Sequence, residues 1–280
     1  MVMLHEVNSG FSVLMSVYKK EKPQYLIQCL DSLLQQTLPA DEWVIVEDGP
    51  LTEALYDVLD LYERQHPKLI KRIRLDHHAG LGVALDEGIR HCSHELIARM
   101  DADDVSCAER FEEQIERFLN DPELDICGTW IEEFEGDIEN VVSRRKVPVE
   151  EQAIRTYQKR RDAFNHMTVM YKKRAVLDAG NYEPVPLMED TVLWVRMLQN
   201  NAHCANIPKY LVRVRVGNDY YERRGGWTYF KLYRDGRREV LKTGFISRWD
   251  YFSSVLAQFF VALTPVAVRG FVFKHLLHKS

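Results

Sequence analysis

Four times in its first 120 residues this chain repeats one pattern, a short apolar run followed by apolar residues at helical spacing. The runs are 11–17 (FSVLMSV), 43–46, 70–75 and 96–100. The spacings between them carry Leu26, Cys29, Leu30, Leu33 and Leu34, then Leu55, Val58, Leu59 and Tyr62, then Leu81, Leu85 and Ile89, then Phe111, Ile115 and Phe118. Short apolar runs divided by a period near 3.6 predict strands alternating with helices. That alternation predicts an α/β fold, a mostly parallel sheet with helices on its faces. Right-handed crossovers gather the carboxyl ends of such strands along one edge, where open sheets place their ligands. Residues 16–18, Glu47-Asp48 and 101–104 all fall at strand ends, so they are predicted to line one crevice.

The second half is less regular. Strand-like residues span 124–134, a helix is predicted over 149–157, and a short strand over 168–171 precedes a helix ending at Gly180. Met188-Glu189-Asp190 leads into an apolar helix, and 205–216 is extended. No repeat, low-complexity run or Pro/Gly/Ser-rich linker divides the two halves. One domain over 1–217 is therefore expected, followed by a tail over 218–280. A net charge of −5 argues against a general nucleic-acid binder. The charge is unevenly spread: from Tyr220 onward eleven Lys or Arg face four acids, so a body of −12 carries a tail of about +7. A basic tail on an acidic body predicts a meeting with an anionic surface. The five scattered cysteines show no C-x-x-C pair, which fits a reducing compartment. No signal-peptide order opens the sequence, so the active part is expected to face the cytoplasm.

The densest chemistry lies at Asp101, Asp103 and Asp104. Carboxylates this close repel one another unless a cation or hydrogen-bond donors share the load, and Mg²⁺ or Mn²⁺ would do so with phosphate oxygens. The plain alternative is a solvated acidic turn in which Asp104 helps to start the next helix. Neither a G-x-x-x-x-G-K-[ST] loop nor a G-x-G-x-x-G turn after the first strand is present, so a nucleotide would be held in another way. Asp48 suits the N–H of a pyrimidine ring and Tyr18 its face. Asp101 suits ribose hydroxyls, and Asp103 a metal bridging a diphosphate.

Five segments, FSVLMSVY at 11–18, WVIVEDG at 43–49, AGLGVALDEGI at 79–89, ARMDADD at 98–104 and MEDTVLWVRM at 188–197, stand in one order and spacing. In these the chain resembles the inverting nucleotide-sugar glycosyltransferases of family 2, over roughly residues 11–216. The resemblance implies a GT-A fold, with a Rossmann-like nucleotide-binding half over 1–105 and an acceptor half over 106–217. It implies that Ser16, Tyr18 and Asp48 contact uracil, Asp101 the ribose and Asp103 the metal, Mn²⁺ or Mg²⁺. Asp104 then supports the turn or caps the next helix. Asp190 matches the general base of a Glu-Asp pair, with Glu189 contacting the acceptor or supporting the base. The alternative is that both acids merely favour the first turn of the following helix. His166 resembles a family histidine that helps to coordinate metal or hold the acceptor, and a purely structural histidine is the alternative. Arg223-Arg224-Gly225-Gly226 resembles a motif of a bacterial surface-polysaccharide subgroup: two guanidiniums suit diphosphate oxygens and two glycines permit a loop to close over the site, with a surface basic turn as the alternative. Glu47 and Asp86 depart from the family's pattern and receive no role.

The resemblance further implies a UDP-sugar donor, UDP-galactose or UDP-glucose ahead of UDP-N-acetylhexosamines. The implied acceptor is a lipid-diphosphate-linked saccharide of bacterial surface-polysaccharide synthesis. The apolar stretch 249–273 contains Ser253, Ser254, Gln258, Thr264 and Pro265, a poor composition for a membrane span. With Arg237, Arg238, Lys242 and Arg248 upstream it is expected to lie on the anionic cytoplasmic face of the inner membrane, making a peripheral protein. Packing against the catalytic domain is the competing expectation. A sugar-phosphate nucleotidyltransferase and a non-catalytic nucleotide-sugar or lipid binder are the rival functions.

Overall fold

The computed structural model describes residues 10–217 and 225–264. Its centre is a sheet of nine strands: β1 (Phe11–Val17), β2 (Glu42–Glu47), β3 (Ile70–Arg74), β4 (Leu96–Asp101), β5 (Val105–Ser106), β6 (Leu124–Phe134), β7 (Val141–Arg145), β8 (Met170–Lys172) and β9 (His203–Arg215). They run in the order β3-β2-β1-β4-β8-β6-β9-β5, with β7 pairing on β6. The first four strands are parallel. Beyond β4 the expected mostly parallel sheet becomes mixed: β8 is antiparallel to both β4 and β6, whereas β6 and β9 are parallel. The strand expected over 124–134 is β6, whereas β5 and β7 were not legible as strands, because neither contributes a distinct apolar run.

Alternation of side chains across β1 divides the core. Phe11, Val13, Met15 and Val17 face α1 (Pro23–Leu34), α2 (Glu53–Gln65) and α4 (Arg110–Asn120). Leu14, with Val44, Val46 and Ile97, faces α3 (Leu81–His91), α6 (Lys173–Asp178) and α7 (Glu189–Gln199). The period-2 pattern of a strand thus places helices on both sides of the sheet. Helix α5 (Glu151–Gln158) contributes Ile154 to the second layer. Pro23 opens α1, where its missing N–H costs nothing. The strand order reverses its direction of growth between β1 and β4, and that reversal opens a crevice at their carboxyl ends.

Two more helices complete the described chain, α8 (Gly226–Lys242) and α9 (Arg248–Leu263). Helix α8 packs on α7 through Val192, Val195 and Val240, joined by Ile246 from the following loop. Its Gly236 lies so close to Met188 that a Cβ there would stand 2.8 Å from the methionine Cγ and Sδ. Arg237 is buried, with Nε donating to Ser254 Oγ at 3.1 Å and Nη2 to the Lys159 carbonyl at 2.7 Å. Helix α8, upstream of the apolar stretch for which the two expectations were made, is therefore part of the fold. The outer face of α9 is different: Trp249, Phe252, Leu256, Phe260 and Leu263 recur at helical spacing and are all exposed. No helix among the described residues is long and apolar enough to cross a membrane.

Candidate active site

The register brings the expected strand ends together. Ser16 stands opposite Val46 on one side and Asp101 on the other, and Val17 opposite Glu47. Asp48 follows directly and is buried. Its carboxylate collects the loop before α3: Ala79 N–H donates to Oδ1 at 2.7 Å, Gly80 N–H to Oδ2 at 3.1 Å, and His78 Nδ1 lies 2.7 Å from Oδ2. Gly80 supplies the left-handed turn, φ +94°, that starts α3. The His78 ring stacks on Tyr18 at 5.7 Å between centroids. Asp48 and Tyr18 thus meet one histidine that the sequence reading passed over. Glu47 is buried against Arg72, 2.6 Å away, and Arg74, so its work is in the β2–β3 edge. Asp86 pairs with Arg90 one turn along α3.

The acidic turn is built around two arginines. Arg99, 1% exposed, reaches Asp101 Oδ1 from Nη2 at 2.5 Å. Its Nε and Nη1 have no hydrogen-bond partner among the described residues. Arg215 clamps the next residues: its N–H donates to Asp104 Oδ1 at 2.9 Å and its Nε to the Asp103 carbonyl at 3.1 Å. Asp104 does not cap a helix, because α4 starts only at Arg110. Burial, then the neighbouring charge of Asp101, pushes the Asp103 carboxyl up to about 6. Burial and both neighbours push Asp104 well up. Carboxylate oxygens whose charge is raised in energy by burial and by one another suit a hard divalent cation. Among the described residues no three His, Cys, Asp or Glu side chains converge as a metal-holding group. One or two carboxylates completed by substrate phosphates is the arrangement Mg²⁺ ordinarily adopts.

Glu189 and Asp190 open α7. Gly82, in the first turn of α3, makes room for them: a Cβ there would lie 2.7 Å from the Glu183 carbonyl and 3.1 Å from Glu189 Cβ. The Asp190 carboxyl is raised well above its ordinary value by burial, then by Asp162 and Glu189. Glu189 is raised chiefly by burial. Arg99 pulls both down and Asp101 pushes Glu189 up, so the two acidic motifs act on one another through space. Asp162 had no visible signal within its charge run, yet its Oδ1 accepts from Thr191 Oγ1 at 2.7 Å. Arg99 did carry a signal, a lone charge inside an apolar run. His166 lies in a 3₁₀ turn with Nδ1 3.8 Å from Asp190 Oδ2 and Nε2 2.9 Å from the Tyr182 hydroxyl. Burial and Arg99 hold its imidazole well below the usual range, hence neutral. Arg223 and Arg224 lie outside the described residues.

The fold that carries these acids is shared with known proteins. Among solved structures the chain is similar to S. aureus TarS 1-349 in complex with UDP-GlcNAc, with a TM-score of 0.60 and 18% identity over 83% of this chain and 66% of that one. It is also similar to the mannosyltransferase PcManGT from Pyrobaculum calidifontis in complex with GDP-Man and Mn²⁺, with a TM-score of 0.63 and 14% identity over 95% and 75%. These likenesses give the fold, GT-A. In sequence it is 40% identical to the amylovoran biosynthesis glycosyltransferase AmsE of Erwinia amylovora, over 94% of this chain and 98% of the relative. It is 33% identical to the UDP-Gal:alpha-D-GlcNAc-diphosphoundecaprenol beta-1,3-galactosyltransferase of Escherichia coli, over 96% and 97%. The family described as "Glycosyl transferase family 2" matches residues 12–178, and with relatives alike over nearly their whole length the chain belongs to that family.

Proposed function

We propose that this glycosyltransferase is a metal-dependent inverting hexosyltransferase of surface-polysaccharide synthesis. Its donor is a UDP-sugar, UDP-galactose or UDP-glucose, and its acceptor a saccharide carried on a lipid diphosphate at the cytoplasmic face of the inner membrane. One observation carries the chemistry: Asp48 holds the loop that starts α3, Glu189 lies against Gly82 in the first turn of that helix, and Glu189 is within electrostatic reach of Asp101. The named activity of the E. coli relative supports the choice of donor and acceptor. Family membership leaves the nucleotidyltransferase alternative without support.

In this reading Ser16, Tyr18 and Asp48 receive the uracil, Asp101 the ribose, and Arg223 and Arg224 the diphosphate. Asp103 holds Mn²⁺ or Mg²⁺, which when bound neutralises charge on the diphosphate. The Asp190 carboxylate takes the proton of the acceptor hydroxyl as that oxygen attacks the anomeric carbon. The bond from that carbon to the diphosphate oxygen breaks on the opposite face, so an α-linked donor gives a β-linked product and UDP leaves. Raised basicity suits Asp190 to this task, and a positioned base contributes roughly 10²–10⁴-fold. Glu189 supports it or meets the acceptor.

The apolar stripe of α9 is the surface that meets the bilayer. Arg248 and the basic residues of α8 lie beside it in sequence, and each basic residue close to an anionic surface adds on the order of 1 kcal/mol. Purified protein, incubated with UDP-hexoses, Mn²⁺ and a short-chain lipid-diphosphate N-acetylhexosamine, should yield one added hexose by mass spectrometry and a β-anomeric signal by NMR. An α-linked product would reject inversion. UDP binding with no transfer from any UDP-sugar would favour the non-catalytic binder.

A further inference from the structure

Beneath Asp190 lies a buried file of hydrogen-bonding groups that the reaction as described does not use. The Tyr171 hydroxyl is 3.5 Å from that of Tyr182, which is 2.9 Å from His166 Nε2. On the far side of the imidazole, Nδ1 faces Asp190 Oδ2 at 3.8 Å. Both tyrosines are buried, and burial raises both hydroxyls above their ordinary value, so they keep their protons. The file is rigidly framed. His166 is flanked by Tyr182 at 5.6 Å and Trp194 at 5.8 Å between ring centroids. Tyr182 is fixed by Asn181, whose left-handed backbone, φ 60°, lets its Oδ1 accept the Tyr182 N–H at 2.8 Å while Nδ2 donates to the Asp86 carbonyl of α3 at 3.1 Å.

A neutral imidazole has one N–H and one lone pair, and which nitrogen carries the proton follows from what the other meets. A lone pair on Nδ1 would point at a carboxylate, which has only lone pairs to offer. A proton on Nδ1 points from donor to acceptor, and the lone pair on Nε2 then accepts from the Tyr182 hydroxyl. Tyr182 oxygen in turn is free to accept from Tyr171. One assignment therefore gives every member a consistent role, with each proton directed toward Asp190. We propose that His166 is a positioning residue for the base: a neutral imidazole, set in its Nδ1–H tautomer by Tyr182, that orients the Asp190 carboxylate toward the acceptor hydroxyl. At 3.8 Å the contact is too long for a hydrogen bond, and it closes by about 1 Å when substrates fill the site, as catalytic contacts commonly do. In this role both ring nitrogens are engaged, so the metal is left to Asp103 and the substrate. The proposal rests on the reading of Asp190 as the base.

The test uses the amide variants, because an Asn amide nitrogen falls near the position of Nδ1 and a Gln amide near Nε2. His166→Ala and His166→Gln are expected to lower kcat by about 10- to 100-fold, the usual loss when a partner that orients a functional group is removed. KM for the UDP-sugar and the Mn²⁺ activation constant should stay at the parent values. His166→Asn should recover most of the rate, and Tyr182→Phe should lose several-fold in kcat alone. A rise in the Mn²⁺ activation constant with kcat retained would overturn the proposal in favour of a metal ligand. Equal kcat for the Asn and Gln variants, both folded by thermal melt, would overturn it in favour of a packing role. Asp190→Asn separates the layers: parent-rate transfer by that variant removes the reading of the base itself, whereas loss of transfer there beside full activity in His166→Gln removes only the positioning role.

Discussion

Asp103, the proposed metal ligand, has a carboxyl that the fold holds in an unfavourable setting. Its carboxyl titrates near 6 in the folded chain, against about 3.9 for an unperturbed aspartate. The folded state therefore binds more protons between pH 4 and 6, and this group's contribution to stability falls as pH rises through that window. Asp103→Asn removes the charge, so we expect the metal-free variant to melt a few degrees higher than the parent at pH 7, on the order of 1 kcal/mol. The same variant should lose most turnover and the thermal stabilisation that Mn²⁺ with UDP confers on the parent. An unchanged Mn²⁺/UDP shift would refute the metal assignment. For Asp190→Asn we expect UDP-sugar affinity within a few-fold of the parent and kcat lower by about 10²–10⁴-fold, read by calorimetry and turnover. If that variant transfers at the parent rate while Glu189→Gln is inactive, the base is Glu189.

At the scale of elements, the Glu189-Asp190 pair, which we propose to be catalytic, depends on packing from α8. Met188 precedes Glu189 and is pressed by Gly236 of α8. Adding a methyl group there requires the methionine to move, and the first turn of α7 moves with it. Gly236→Ala should accordingly lower kcat several-fold and reduce the melting temperature, while KM for the UDP-sugar stays constant because the β1, β2 and β4 ends lie elsewhere. A parent-like kcat with a lowered melting temperature would confine α8 to a structural role. Arg237 gives the same helix a second tie, to Ser254 of α9 and to the Lys159 carbonyl, near the turn that carries Asp162. Deleting α9 would strip a buried guanidinium of one acceptor, a loss of the kind that costs several kcal/mol.

For the whole molecule, removal of α9 would disturb packing as well as any surface role. Substitution on its outer face keeps the packed side intact. Trp249 is 67% exposed and stands on the same stripe as Phe252 and Phe260. Replacing the three with serine should abolish sedimentation with anionic vesicles at low salt and slow transfer to a long-chain lipid acceptor. Turnover of a short-chain, water-soluble acceptor should survive, since no contact to α7 is touched. Sedimentation of the triple variant equal to the parent would sink the membrane-surface role.

The alternation of strand and helix over residues 11–120, and the placing of Asp48, Asp101 and Asp103 at strand ends, were legible in the sequence because they follow from local periodicity and from the parallel register of β1, β2 and β4. Glu189-Asp190 was legible as a motif before a helix. What the sequence left open depends on long-range packing. Whether β8 runs parallel or antiparallel to β4 is decided by the path of the intervening chain, not by the composition of three residues. Arg99, Asp162 and Tyr182 became part of the site only when β4, α7 and the 3₁₀ turn came together, because a charge or hydroxyl acquires its role from neighbours many residues away. The tail was split in the same way. Its apolar residues were visible, but that Val240 and Ile246 pack on α7 while Trp249, Phe252 and Phe260 face outward follows from long-range contacts that only the assembled structure shows.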